Sequence, residues 1–129
     1  MREIKFRAWD KTRHRYRSGI DNLMLCLSGF KMWQFASDAP LPIDNQNDYV
    51  LEQFTGLKDK NGREIYEGDI VRWSSYQPHQ HRFSYVGFDY GSFCVIDNND
   101  VCGVGLADHL GLSPDSEVIG NIHENPELL

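Results

Sequence analysis

The sequence predicts a mainly β protein: a small SH3-like or related β-barrel built from hairpins, with an N-terminal β-hairpin extension and at most short helices. Three observations carry this. Apolar Ile4, Phe6 and Ala8 alternate with Lys5, Arg7 and Trp9, the period of a half-buried strand. Later apolar runs are short and separated by turn formers, among them Asn61-Gly62, Glu67-Gly68-Asp69 and Asp89-Tyr90-Gly91. The aromatics (seven Phe, six Tyr and three Trp) favour strands and bury much surface each.

The elements follow in order. Ile4 to Trp9 reads as a strand, Asp10-Lys11-Thr12-Arg13 as a turn, and His14 to Arg17 as the returning strand. Leu23 to Leu27 and Phe30 to Phe35 flank Ser28-Gly29, which suggests a second hairpin; a helix over Asn22–Leu27 stays open, because a short apolar run has no decisive period. Residues 36–48 are rich in Pro, Asn and Asp and read as a loop. Tyr49 to Thr55 is the next strand. Asn61-Gly62 is the strongest short hairpin signal, since a tight primed turn puts both central residues at positive φ. Ile65-Tyr66 and Ile70 to Trp73 flank a second turn at Glu67-Gly68-Asp69, so that Phe54 to Trp73 forms the central hairpin. Residues 74–82 read as a surface loop, Phe83–Phe88 and Ser92–Ile96 as a hairpin, and 97–100 as a polar turn. Leu106–Leu112 reads as a short helical turn and Glu117 to Ile122 as the last strand. One domain over residues 1–129 is expected, with a hairpin part (1–35), a loop (36–48) and a barrel part (49–129).

Bulk properties narrow the function. A chain of 129 residues buries a core without metals or disulfides. No apolar run approaches the roughly 18 residues that cross a bilayer, and the N-terminus lacks a signal-peptide core, so a cytoplasmic, non-membrane protein is expected. Cys26, Cys94 and Cys102 are odd in number and unevenly spaced, which favours reduced, buried thiols. Net charge is −6, unevenly placed: residues 1–17 carry +5 and the remainder −11. Such asymmetry marks a nucleic-acid contact, two solvated faces, or a basic hairpin lying against an acidic barrel of the same fold.

Three segments also carry a resemblance. Lys5-Phe6-Arg7-Ala8-Trp9-Asp10, the stretch from Phe54 to Val71 (FTGLKDKNGREIYEGDIV), and Val118 to Leu129 (VIGNIHENPELL) run in order and bracket the chain. Together they resemble the YopX-type proteins of bacteriophages and prophages. The resemblance implies a small, β-rich, phage-associated protein, so that the cytoplasm expected above is that of a bacterial host cell, and it brings no molecular activity with it.

Candidate chemistry is sparse. Asp59, Glu64, Glu67 and Asp69 invite an acid/base reading, but turn chemistry explains them more simply: Asp59, Asn61, Gly62, Glu67, Gly68, Asp69, Gly120 and Asn121 are expected to be structural signature turns. His79 and His81, with Asp108-His109 or His123-Glu124, have residue types that hold Zn²⁺, yet loop histidines are more often solvent-exposed. There is no Walker A loop, Rossmann glycine pattern, H-E-x-x-H or G-x-S-x-G. The sequence therefore implies no cofactor and does not point to an enzyme. Lys5, Arg7, Trp9, Arg13, Arg15 and Arg17 form the one basic-aromatic set with a pull toward a partner, with Arg13, Arg15 and Arg17 sharing a face if extended. The leading expectation is a non-enzymatic accessory protein acting through protein contacts, with itself or with a host or phage factor. A nucleic-acid-binding modulator is the alternative, and a small-molecule enzyme a weaker one.

Overall fold

Twelve β-strands and one short 3-10 turn account for the regular structure among the described residues. The computed structural model describes residues 3–17, 23–26, 31–36, 39–42, 48–74, 81–89, 91–97, 102–105 and 115–129; for 23–26, 31–36, 39–42 and 102–105 the description is of the backbone. The mainly β expectation holds, and every pairing described is antiparallel. Contacts divide the chain into a larger unit (Met1–Lys5 and Gln53–Leu129) and a smaller one (Phe6–Glu52).

In the smaller unit, β1 (Phe6–Asp10) pairs with β2 (Arg15–Tyr16) around a turn at residues 11–14. Asp10 makes that turn: its Oδ1 accepts the backbone N–H groups of Thr12 and Arg13, both at 3.0 Å, the local bonding that favours Asp at turn starts. His14 completes it at φ 55°, a left-handed conformation uncommon outside glycine. The expected second hairpin is present: β3 (Leu23–Cys26) pairs with β4 (Lys31–Ala36), Leu23 opposite Gln34 and Cys26 opposite Lys31. This resolves the helix-or-strand ambiguity in favour of a strand. The expected loop at 36–48 is corrected in part, because β5 (Ala39–Pro42) pairs with β4 there. Pro40 and Pro42 are two apart, so both lack their donor on the same side of the strand, and an edge strand tolerates that.

In the larger unit, β8 (Asp69–Ser74), β9 (His81–Asp89), β10 (Ser92–Ile96), β11 (Cys102–Gly105) and β12 (Glu117–Asn121) form a five-stranded sheet in the order β11-β10-β9-β8-β12. Strand β11 has no counterpart in the sequence reading; two glycines in four residues conceal it. Val71 and Trp73 of β8, Val86 of β9, Val95 of β10 and Val118 of β12 meet Ile65 in one buried cluster, with Phe93 packed against it. Each such aliphatic side chain stabilises by about 1.5–3 kcal/mol when fully buried. Trp73 satisfies its indole N–H by donating to Ser84 Oγ at 3.2 Å, so the ring is buried without an unpaired polar group.

Strand β6 (Tyr49–Lys58) runs through the division between the units. Its Gln53–Lys58 portion pairs with β7 (Glu64–Tyr66), with a register shift between Phe54 and Lys58. The hairpin expected over Phe54 to Trp73 therefore ends at Tyr66, because Asp69–Ser74 is β8 of the five-stranded sheet, paired with β9 and β12. The expected Asn-Gly turn is there in a different form. Gly62 alone has positive φ, at 81°. Its N–H donates to Asp59 O at 3.0 Å, and Asp59 N–H donates to Arg63 O at 2.9 Å. That is a type I turn followed by a left-handed glycine, the three-residue hairpin loop. The predicted loop at 74–82 overlaps β8 and β9 at its ends, and its residues 75–80, like the helical turn at 106–112, lie outside the described residues.

Candidate functional site

Two regions hold the side chains singled out by sequence: the signature turns of the larger unit and the basic hairpin of the smaller one.

The signature turns centre on Asp59, which is 7% exposed. Its Oδ1 accepts the N–H groups of Asn61 and Arg63, both at 2.9 Å, and its Oδ2 accepts the Val118 N–H at 3.0 Å. Burial pushes this carboxyl up, but the three amides and the nearby Arg63 charge outweigh it and hold the group below its usual range. The same loop also reaches β12 and the residue before it. Lys60 N–H donates to Ser116 O at 3.0 Å, and Glu117 gathers Lys60 at 3.2 Å and Arg72 at 2.7 Å.

The second turn repeats the theme. Gly68 has φ 82°, buried Asp69 accepts the Tyr66 N–H at 2.9 Å, and Glu67 Oε1 accepts the Gln53 N–H at 2.9 Å. Gly68 N–H donates to Val86 O at 2.8 Å, while its carbonyl accepts Ile122 N–H at 2.9 Å. After β12, Asn121 Oδ1 accepts the N–H groups of His123 and Glu124 at 3.0 and 2.9 Å. Asn125 Oδ1 returns to Asn121 N–H at 3.3 Å. A Cβ on Gly120 would lie 2.5 Å from Asn125 Oδ1 and 3.0 Å from Asn125 Cβ, so the close approach requires glycine. Glu64, the fourth signature acid, bonds Lys5 and accepts the Tyr66 hydroxyl at 3.1 Å. The Lys5 ammonium holds the Glu64 carboxyl below its usual range, against the opposing effect of burial.

The basic hairpin departs from the alternation read in sequence. Ala8, Trp9 and Asp10 are all buried, whereas Ile4 is 64% exposed. Regular pairing starts only at Phe6, so Ile4 precedes the strand, and both faces of residues 8–10 are covered. Trp9 packs edge-on against His14 and Tyr16 and takes no part in a surface with Lys5 and Arg7. Arg7 Nε donates to Glu52 Oε1 at 2.9 Å, its guanidinium lies 4.2 Å from the Tyr16 ring centroid, and the Tyr16 hydroxyl donates to the same Glu52 oxygen at 2.9 Å. Arg17 donates to the Tyr49 hydroxyl at 2.9 Å. Arg13 sits in the turn and Arg15 on β2, both exposed; Arg13, Arg15 and Arg17 therefore do not form one continuous strand face.

Two residues that the sequence reading missed organise these regions. Glu52, 3% exposed, joins Arg7 to Tyr16, and Glu117 joins Lys60 to Arg72. Glu52 was legible in principle: it shares the inward phase of β6 with Val50 and Phe54, and a carboxylate there demands a partner. Among the described residues, no three His, Cys, Asp or Glu side chains are arranged to hold a metal. His79, Asp108 and His109 lie outside the description; His81 is exposed on β9, and Cys94 is buried. No helix among the described residues is long and apolar enough to cross a membrane.

These geometries define a mainly β protein whose turn residues bond its own backbone. Residues 5–129 match the YopX protein family, and the chain belongs to that family. Two solved structures are similar over its whole length. Protein EF1440 from Enterococcus faecalis is 28% identical with a TM-score of 0.62, and protein yopX from Bacillus subtilis is 24% identical with a TM-score of 0.65; each alignment covers 100% of this chain and 99% of the other. No curated protein matches the chain.

Proposed function

We propose that this YopX-family chain is a non-enzymatic accessory protein of a bacteriophage or prophage, acting in the bacterial cytoplasm through protein–protein contacts, with itself or with a host or phage factor. The observation that carries the reading is where the signature carboxylates go. Asp59, Glu67 and Asp69 accept backbone amides, and Glu64 takes Lys5 and Tyr66. Groups capable of acid/base work are thereby engaged in holding turns. Two aromatic side chains are also partly exposed, Phe88 at 56% and Phe83 at 44%, and aromatics are enriched in the surfaces that protein partners bury. Size-exclusion chromatography with light scattering, together with a pull-down from bacterial lysate, tests it. A strict monomer that retains no protein would sink the reading.

A second reading, nucleic-acid binding, draws on the exposed run Lys11 to Arg15 at the hairpin turn. Arg7 and Arg17 are engaged by Glu52 and Tyr49, so that reading rests chiefly on Arg13 and Arg15. Replacing both with Gln should flatten the salt dependence of binding. Absence of any mobility shift with DNA or RNA at low salt would remove it.

A further inference from the structure

Asn61 is the one asparagine of the chain followed by glycine. The pair sits in the loop between β6 and β7, and both residues are exposed to water. That dipeptide carries a reaction of its own. The backbone nitrogen after an asparagine, once its proton leaves to solvent base, adds to the side-chain carbonyl carbon and expels ammonia, closing a five-membered imide. Water then opens the imide at either carbonyl, leaving aspartate or, with the backbone rerouted through the side chain, isoaspartate. Water enters and ammonia leaves; no other reactant is needed. Glycine favours the step because no Cβ shields its nitrogen, and beyond the chain neighbours of Gly62 no atom lies within 4 Å of where a Cβ would stand.

The folded turn keeps the two reacting groups apart. The Gly62 N–H is engaged, donating to Asp59 O at 3.0 Å. Asn61 occupies the third position of the type I turn, where ψ is roughly 0°. Ring closure needs a large rotation about that bond, until the Gly62 nitrogen eclipses the Asn61 Cβ. Asp59 Oδ1 resists the rotation from both sides, accepting the N–H groups of Asn61 and Arg63 at 2.9 Å. The Asn61 side chain is also directed elsewhere: its Nδ2 donates to Glu117 Oε1 at 3.4 Å, while Lys60 and Arg72 hold Glu117 Oε2.

We propose that Asn61 is a deamidation site which the folded turn keeps closed, so that the reaction proceeds through opening of the loop and then hinders its closing again. Either product places a second carboxylate against that of Glu117, and like charges so near repel. Isoaspartate also lengthens the backbone of a loop that Asp59 fixes at the amides of Asn61, Arg63 and Val118. The bond to Val118 ties the loop to β12, so the modification records each lasting release of that tie.

The test follows the full chain by peptide mass mapping during incubation at mildly alkaline pH, folded in buffer and unfolded in guanidinium chloride. In the unfolded chain Asn61 should gain the mass of an amide-to-acid exchange ahead of every other asparagine. In the folded chain it should do so at least about tenfold more slowly, because the reaction is confined to the open fraction. Asp59→Ala, where folded, should recover most of that factor. If that variant does not fold, Glu117→Ala, which frees only the Asn61 side chain, should speed the folded reaction at least about twofold. Equal rates in the folded and unfolded chain overturn the proposal, as does an unfolded chain in which Asn61 reacts no faster than the other asparagines. A folded variant of either kind that reacts as slowly as the original chain overturns it too.

Discussion

The signature turns and the basic hairpin are both dense in charge, and they dispose of it differently. Around Asp59, the charged groups turn inward onto backbone amides and onto one another, and little is left over for a ligand. In the hairpin the charges divide: Arg7 and Arg17 are taken by Glu52, Tyr16 and Tyr49, while Arg13, 3.7 Å from Asp10, and Arg15 remain exposed. A motif's density of ionisable residues is therefore a poor guide to chemistry. Burial and hydrogen-bond partners decide whether a carboxylate reacts or holds a turn.

The largest effect should come from breaking the Asp59 centre. Asp59→Ala leaves the amides of Asn61, Arg63 and Val118 without their acceptor, and a loss of about 3 kcal/mol is expected in urea unfolding. The same group sets a pH dependence. Its folded pKa lies below the ordinary carboxylate value of 3.8, so its contribution is fully present above that value and fades as pH falls through the folded one. Asp59→Asn should flatten the acid limb of the stability profile, and an unchanged limb would show that the amide contacts do not favour the ionised form.

Next in size is the hairpin's own buried centre. Glu52→Ala removes the partner of both Arg7 and the Tyr16 hydroxyl, and should cost about 2 kcal/mol. Loss of near-ultraviolet aromatic signal from Trp9 and Tyr16 would accompany it. A cost as large as that of Asp59→Ala would erase the distinction between the two regions.

Gly120→Ala follows, with an expected loss of about 1–2 kcal/mol from the clash with Asn125. Asn125→Ala in the same chain should recover part of that loss, because the two changes share one contact; strict additivity would refute the close approach as the cause. The smallest effect belongs to the exposed arginines. Arg13→Gln with Arg15→Gln should change stability by no more than about 0.5 kcal/mol, and a larger change would mean that they are structural like their neighbours.

Much of this was legible in the residues themselves. Period-two alternation and Gly-bearing turns determined the class of fold and the places of the turns at Gly62 and Gly68, because turn geometry is a local matter of φ and of short side chains reaching nearby amides. Family kinship was equally legible in three ordered segments. Strand β5 escaped notice because proline reads as a loop former until an edge position is known, and β11 because glycine carries no strand signal.

Tertiary structure alone decided the rest. It brought Asp59 to Val118, 59 residues away, placed Glu52 between Arg7 and Tyr16, and buried Trp9 on a face that alternation had assigned to solvent. Local pattern specifies conformation and periodicity. Which face is covered, and which buried charge finds which partner, depends on residues distant in the chain, where sequence spacing holds no distance information.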